Sequence, residues 1–130
     1  MQGFRELRVW HDGMALVEQV YLLTRSFPKH EVYGLMSQLQ RAAVSIPANI
    51  AEGNARLYIK EYLRHVSIAR GSLAEVETYL ELAPRLGYVA PDSIRPLLDQ
   101  SGAVGRQLTA LRNTLVARIE AGDAPPSRNP

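Results

Sequence analysis

The fold is decided by IKEYLRHVSIARGSLAEVETYLELAPRL, Ile59 to Leu86. Its apolar residues fall at Ile59, Tyr62, Val66, Ala69, Leu73, Val76, Leu80 and Ala83, in alternating steps of three and four. Steps averaging about 3.5 residues hold one stripe of an α-helix against a partner helix, whereas a half-buried strand repeats every second residue. At about 1.5 Å per residue the rod is roughly 42 Å long, too long for a compact domain of this size unless other helices lie alongside it. Tyr79, Leu82 and Leu86 add a second row beside the first, apolar surface that a subunit interface could cover.

Downstream, Pro84 disturbs the last turn and Gly87 closes it. A fourth helix is expected from Ser93, a capping residue that places Pro96 in the first turn. Its stripe is Ile94, Leu97, Ser101, Val104, Leu108, Leu111 and Leu115, again in threes and fours. Upstream, a second helix is expected from Glu31 to Gly53, with Leu35, Leu39, Ala42, Ile46 and Ile50 on one face and a kink at Pro47. A first helix ends before Pro28 and carries two apolar rows, Trp10, Met14, Val17, Tyr21 and Leu16, Val20, Leu23, Phe27. Small residues Ala69, Gly71, Ser72 and Ala74 face a matching set, Ala42, Ala43 and Ser45, which suggests close contact between the second and third helices. The expectation is an all-α, antiparallel up-down-up-down four-helix bundle over residues 1–121, followed by a disordered tail over 122–130.

With 130 residues the chain suits one domain, and 46% hydrophobic against 22% charged residues describe a folded protein. It has no cysteine, which excludes disulfides and thiolate metal sites. The charged N-terminus lacks an apolar signal core, and no apolar run approaches the roughly 20 residues of a membrane span, so a soluble, cytoplasmic protein is expected. Net charge is +2. The basic excess lies in residues 1–70, with nine Lys/Arg against six Asp/Glu, while 71–130 hold six against seven. On the third helix Lys60, Arg64 and Arg70 precede Glu75, Glu77 and Glu81, an order that opposes the helix dipole and calls for a neighbouring helix or another chain to neutralise it.

Catalytic and metal constellations are absent from the sequence. A di-iron bundle needs two Glu-x-x-His pairs and two further carboxylates. Glu61 and His65 stand four apart with no second pair, and read as an exposed ion-pairing set. There is no glycine-rich phosphate loop, HExxH or GxSxG. Arg25 and His30 bracket four residues in an arrangement that resembles the signature of HEPN ribonucleases, but Pro28 interrupts it at a helix end. Asn49, Glu52 and Asn54 around Gly53 make a polar cluster with two readings, turn and capping chemistry or a face toward a partner.

Four segments, FRELRVW at Phe4 to Trp10, FPKHEVYGL at Phe27 to Leu35, QLQRAAVSIPANIAEGN at Gln38 to Asn54 and IARGSLAEVE at Ile68 to Glu77, resemble the four-helix bundle proteins encoded in 23S rRNA intervening sequences. That family is similar in turn to the accessory variability determinant of diversity-generating retroelements. The matching positions include Trp10, Pro28, Gly34, Arg41, Ser45, Pro47, Asn49, Glu52, Gly53, Gly71, Ser72 and Glu75; His11, Leu57 and Pro84 depart from the pattern. The resemblance implies a bacterial, ring-like homopentamer without catalysis, whose retroelement relatives bind nucleic acid and a reverse transcriptase through a basic surface. No cofactor or metal is implied.

The reading that combines these features is a non-enzymatic homo-oligomer that binds RNA or DNA, or scaffolds a nucleic-acid enzyme. Arg41, Arg56, Lys60, Arg64 and Arg70 are its expected nucleic-acid-binding residues, because they gather around the end of the second helix and the first half of the third. Two alternatives stand beside it: a structural protein-binding bundle whose charges pair between subunits, and a HEPN-like ribonuclease using Arg25 and His30.

Overall fold

Each apolar stripe lies on a helix: α1 (Arg8–Thr24), α2 (Leu35–Ala55), α3 (Ile59–Arg85) and α4 (Arg95–Glu120). These come from a computed structural model that describes residues 3–122. Short 3-10 turns at Phe4–Glu6, Lys29–Glu31 and Pro91–Ile94 precede α1, α2 and α4. Helix α2 packs on α1 and α3, and α4 packs on α3 and α1, which closes a ring of four. Neighbours run antiparallel. As α2 advances from Ser45 to Asn49, its hydrogen-bonded partner on α3 retreats from Ser72 to His65. The chain is an all-α, antiparallel four-helix bundle, and no helix among the described residues is long and apolar enough to cross a membrane.

All eight residues of the α3 seam are buried, from Ile59 to Ala83. They meet Leu39, Ala43, Ile46 and Ile50 of α2, Leu16 and Val20 of α1, and Leu97, Val104, Leu108 and Leu115 of α4 in one apolar cluster. Each Leu or Ile so enclosed contributes on the order of 1.5–3 kcal/mol of transfer free energy, which explains why the periodic positions outweigh Gly71 and the two internal prolines. Pro47 sits within α2, buried, and its ring faces Gly13 of α1. A Cβ at Gly13 would stand 3.6 Å from the Pro47 Cβ, ordinary contact, so the two helices meet closely there.

Several helix ends differ from the sequence expectation. Helix α2 starts at Leu35, not Glu31, because Glu31 lies in a 3-10 turn and reaches forward, its Oε1 accepting the Leu35 N–H at 2.8 Å. It runs through Gly53 to Ala55. Gly53 is therefore not a stop: a Cβ there would fall 2.7 Å from the His65 Cβ and 3.1 Å from Tyr62 Cδ1, so glycine is what lets α2 and α3 touch. Ser93 does not cap α4; its hydroxyl donates back to the Ala90 carbonyl at 2.6 Å inside the 3-10 turn. Pro84 is carried within α3, and the chain leaves at Gly87, whose φ of 77° suits a residue without a Cβ. Gly71 does not join the small-residue contact. It points outward with nothing within 4 Å, while Ala69 and Ser72 are the buried members. Helix α1 ends at Thr24, short of Phe27; Leu16, Val20 and Phe27 of one row are buried and Leu23 partly so, but Met14 and Tyr21 of the other remain exposed. The expected tail begins at Gly122, which closes α4 with φ 84°; the rest of it lies outside the described residues.

Candidate nucleic-acid interface

Polar residues line the outer seam between α2 and α3. Ser72 Oγ donates to Ser45 Oγ at 2.8 Å, and Asn49 Nδ2 donates to Ser45 Oγ at 3.0 Å and to the Ser45 carbonyl at 2.8 Å. That fixes the Asn49 amide, so its Oδ1 faces His65 Nδ1 at 2.9 Å and the ring nitrogen is the donor. His65 Nε2 then faces Glu52 Oε2 at 3.8 Å, and the same carboxylate oxygen takes Arg56 at 2.5 Å. His65 is buried, with 6% of its surface exposed, which overturns the exposed pairing with Glu61 expected from spacing. At the end of the seam Asn54 Nδ2 donates to the Tyr62 hydroxyl at 3.3 Å. Burial pushes that hydroxyl above its ordinary range, and the Asn54 bond partly offsets the push.

Seven motif positions line this seam. Ser45 of α2 meets Ser72 of α3, Asn49 and Glu52 meet His65, and Gly53 lies against His65 and Tyr62, while Ser45, Ser72 and Glu75 line a groove of about 350 Å³ with Gln38, Arg41 and Tyr79. The remaining motif positions serve the frame. Trp10 packs against the core with Phe4 edge-on at 5.2 Å, Pro28 leads into the 3-10 turn, and Pro47 lies on Gly13. Gly71 has no contact among the described residues that explains it.

The five expected cations do not share one face. Arg41 opens into the α2–α3 groove, whereas Arg70 lines a groove of about 510 Å³ on the opposite flank of α3, toward α4. Lys60 and Arg64, four apart, stand exposed near the start of α3, and Arg56 is bound to Glu52. Among the described residues Arg41, Lys60, Arg64 and Arg70 make no salt bridge, so no ion pair there offsets the charge order that opposes the α3 dipole. Counting charge by halves missed Arg106, which shares the α3–α4 groove with Arg70. The signal is local: from Gln100 to Ile119 the sequence has Arg106, Arg112 and Arg118 and no acid.

A second cluster joins the two loops at one end of the bundle. The Tyr88 hydroxyl donates to Glu31 Oε2 at 2.5 Å, and His30 Nε2 lies 3.4 Å from the same hydroxyl. The Tyr88 bond, then the Leu35 N–H, hold the Glu31 carboxyl below its ordinary range, and the same bond to Glu31 raises Tyr88. His30 is thus engaged with a tyrosine, its ring edge-on to Tyr88, while Arg25 is exposed at the end of α1. No group of three His, Asp or Glu side chains placed to hold a metal occurs among the described residues.

Among solved structures, the chain is similar to a protein with unknown function from the S23 ribosomal protein family of Bacteroides thetaiotaomicron. The two share 20% identity and a TM-score of 0.74 over 80% of this chain and 97% of that one, a likeness of fold. No curated protein matches the chain at a significant level. Residues 5–110 match the family described as 23S rRNA-intervening sequence protein, and the chain belongs to that family.

Proposed function

We propose that this bundle catalyses nothing itself and acts as a cytoplasmic homo-oligomer that binds RNA or DNA, or scaffolds a nucleic-acid enzyme such as a reverse transcriptase. The observation that carries the reading is the set of exposed cations that make no salt bridge among the described residues, Lys60, Arg64 and Arg70 on α3 with Arg41 on α2. A cation already paired gains little from a phosphate, whereas an unpaired one releases a counterion from the nucleic acid when it docks. Repetition of the patch around an oligomer multiplies a weak contact into avidity. The pentamer and the kinship with the retroelement determinant rest on the resemblance of the motif segments.

Binding of a structured RNA at about 50 mM salt tests the reading. It is expected to weaken steeply as salt rises, and to drop when Lys60 and Arg64 are both replaced by Glu. Absence of binding at low salt, or indifference to the double substitution, would sink it.

A protein-binding role is favoured by a different observation. Met14 and Tyr21 on α1 and Val44 on α2 are 42%, 45% and 42% exposed, apolar side chains that a monomer leaves in water. They flank the α1–α2 seam between the Gly13–Pro47 contact and the Gln40–Thr24 hydrogen bond. We assign this face to contact between copies of the chain.

A further inference from the structure

We propose that the groove between α3 and α4 seats the phosphate backbone of a double-helical nucleic acid, with Arg70 and Arg106 as its phosphate-binding pair. The inference rests on the nucleic-acid reading above and gives it a place and a class of substrate.

The groove is polarised. Antiparallel pairing sets Arg70 opposite Thr109 at one end, Leu73 and Ala74 opposite Gly105 and Arg106 in the middle, and Glu77 opposite Ser101 at the other. Ser101, fully buried, donates its hydroxyl to Glu77 Oε2, which ties that carboxylate down at the far end. Arg64 and Lys60 stand exposed nearer the start of the same helix, outside the groove lining. Arg70 and Arg106 make no salt bridge among the described residues, and α4 supplies no acid between Asp99 and Glu120 to compensate them. Two guanidiniums reaching in from facing helices suit consecutive phosphates, for which Arg offers a planar, two-pronged donor.

The floor distinguishes backbone from base. Leu73, Ala74, Gly102 and Gly105 form it, with no aromatic ring in the lining. Binders of single strands depend on aromatic platforms on which bases stack, each worth about 1–3 kcal/mol. This groove offers none, so it fits a duplex whose bases stay stacked and whose phosphates face outward.

The test compares a labelled RNA duplex of about 16 base pairs with one of its strands, by fluorescence anisotropy at low salt. Wild type, Arg106→Glu, Arg106→Lys and the Lys60→Glu/Arg64→Glu pair are titrated, with melting curves to confirm folding. Arg106→Glu is expected to weaken duplex binding about tenfold for any sequence and to flatten its salt dependence, while Arg106→Lys keeps most of the affinity. Wild-type binding of the duplex with Arg106→Glu unchanged would overturn the groove and leave the nucleic-acid reading standing. A single strand bound as tightly as the duplex would overturn the substrate class. No binding by wild type would remove both proposals.

Discussion

His65 on α3, buried, donates from Nδ1 to the Asn49 Oδ1 on α2 at 2.9 Å, a part-buried bond that ties the two helices together. Asn49 is held in turn by the Ser45 carbonyl and hydroxyl, so one amide makes three hydrogen bonds to two residues. Asn49→Ala strands the ring N–H of a buried histidine, and the expected cost is about 1–3 kcal/mol of stability in a denaturant titration. Asn49→Ser, too short to reach, is expected to behave similarly; a loss below about 0.5 kcal/mol in both would show that the bond does not matter.

Gly53 and Gly71 are expected to respond in opposite directions to alanine. At Gly53 the new Cβ would crowd His65 Cβ at 2.7 Å and Tyr62 Cδ1 at 3.1 Å, so α2 and α3 must part, at about 1–3 kcal/mol. At Gly71 there is nothing within 4 Å, and Gly71→Ala is expected to stabilise the helix by about 0.5–1 kcal/mol. Thermal unfolding at a protein concentration low enough to favour the monomer separates the two. If Gly71→Ala weakens assembly while raising monomer stability, a neighbouring copy covers that glycine.

What the sequence made legible was periodicity, and periodicity is a property of one helix at a time. The α3 seam and the α4 stripe are buried, apart from Leu111, which is partly buried, because any packed helix must turn its apolar row inward. The partner of His65 was not legible. Spacing offers Glu61 on the same helix, whereas the true partner depends on how α2 is set against α3. Gly53 failed for a related reason, since a glycine that ends a helix and one that admits a neighbour look alike in one dimension. The separation of Arg41 from Arg70 follows from helical geometry, yet grouping the cations by chain position concealed it. Arg106 was hidden by averaging the acid-free part of α4 with the acidic end of α3.

The Glu31–Tyr88 bond makes stability depend on pH at both limits. The folded Glu31 carboxyl lies below its ordinary value of 4.5, so its contribution is complete above that value and is lost as pH falls through the lowered one. Tyr88 is raised above 10.0, so its contribution is complete below that value and disappears as pH climbs through the raised one. Tyr88→Phe removes the donor and releases both shifts. Its melting temperature is expected to fall at neutral pH and to approach that of the wild type under acid conditions, where Glu31 is protonated in both folded and unfolded chains. A gap that stays constant from neutral to strongly acid pH would rule out the carboxylate as the cause.

The apolar flank of the α1–α2 seam gives the last expected outcome. Met14 and Tyr21 are seven residues apart on α1 and so occupy one stripe, and Val44 stands beside them on α2. None of the three is in the buried core, so a charge there leaves the interior intact while placing an unpaired carboxylate in any subunit contact that covers the stripe. Tyr21→Glu is therefore expected to shift the sedimentation profile toward monomer while leaving the unfolding transition of the dissociated chain within about 0.5 kcal/mol of the wild type. Lys60 and Arg64 lie on another helix, so the monomeric variant should still bind a nucleic acid, though more weakly because avidity is gone. An undisturbed oligomer would place the subunit contact elsewhere, with Leu82 on α3 and Leu86 just beyond its end, 38% and 48% exposed, as the next apolar face to charge.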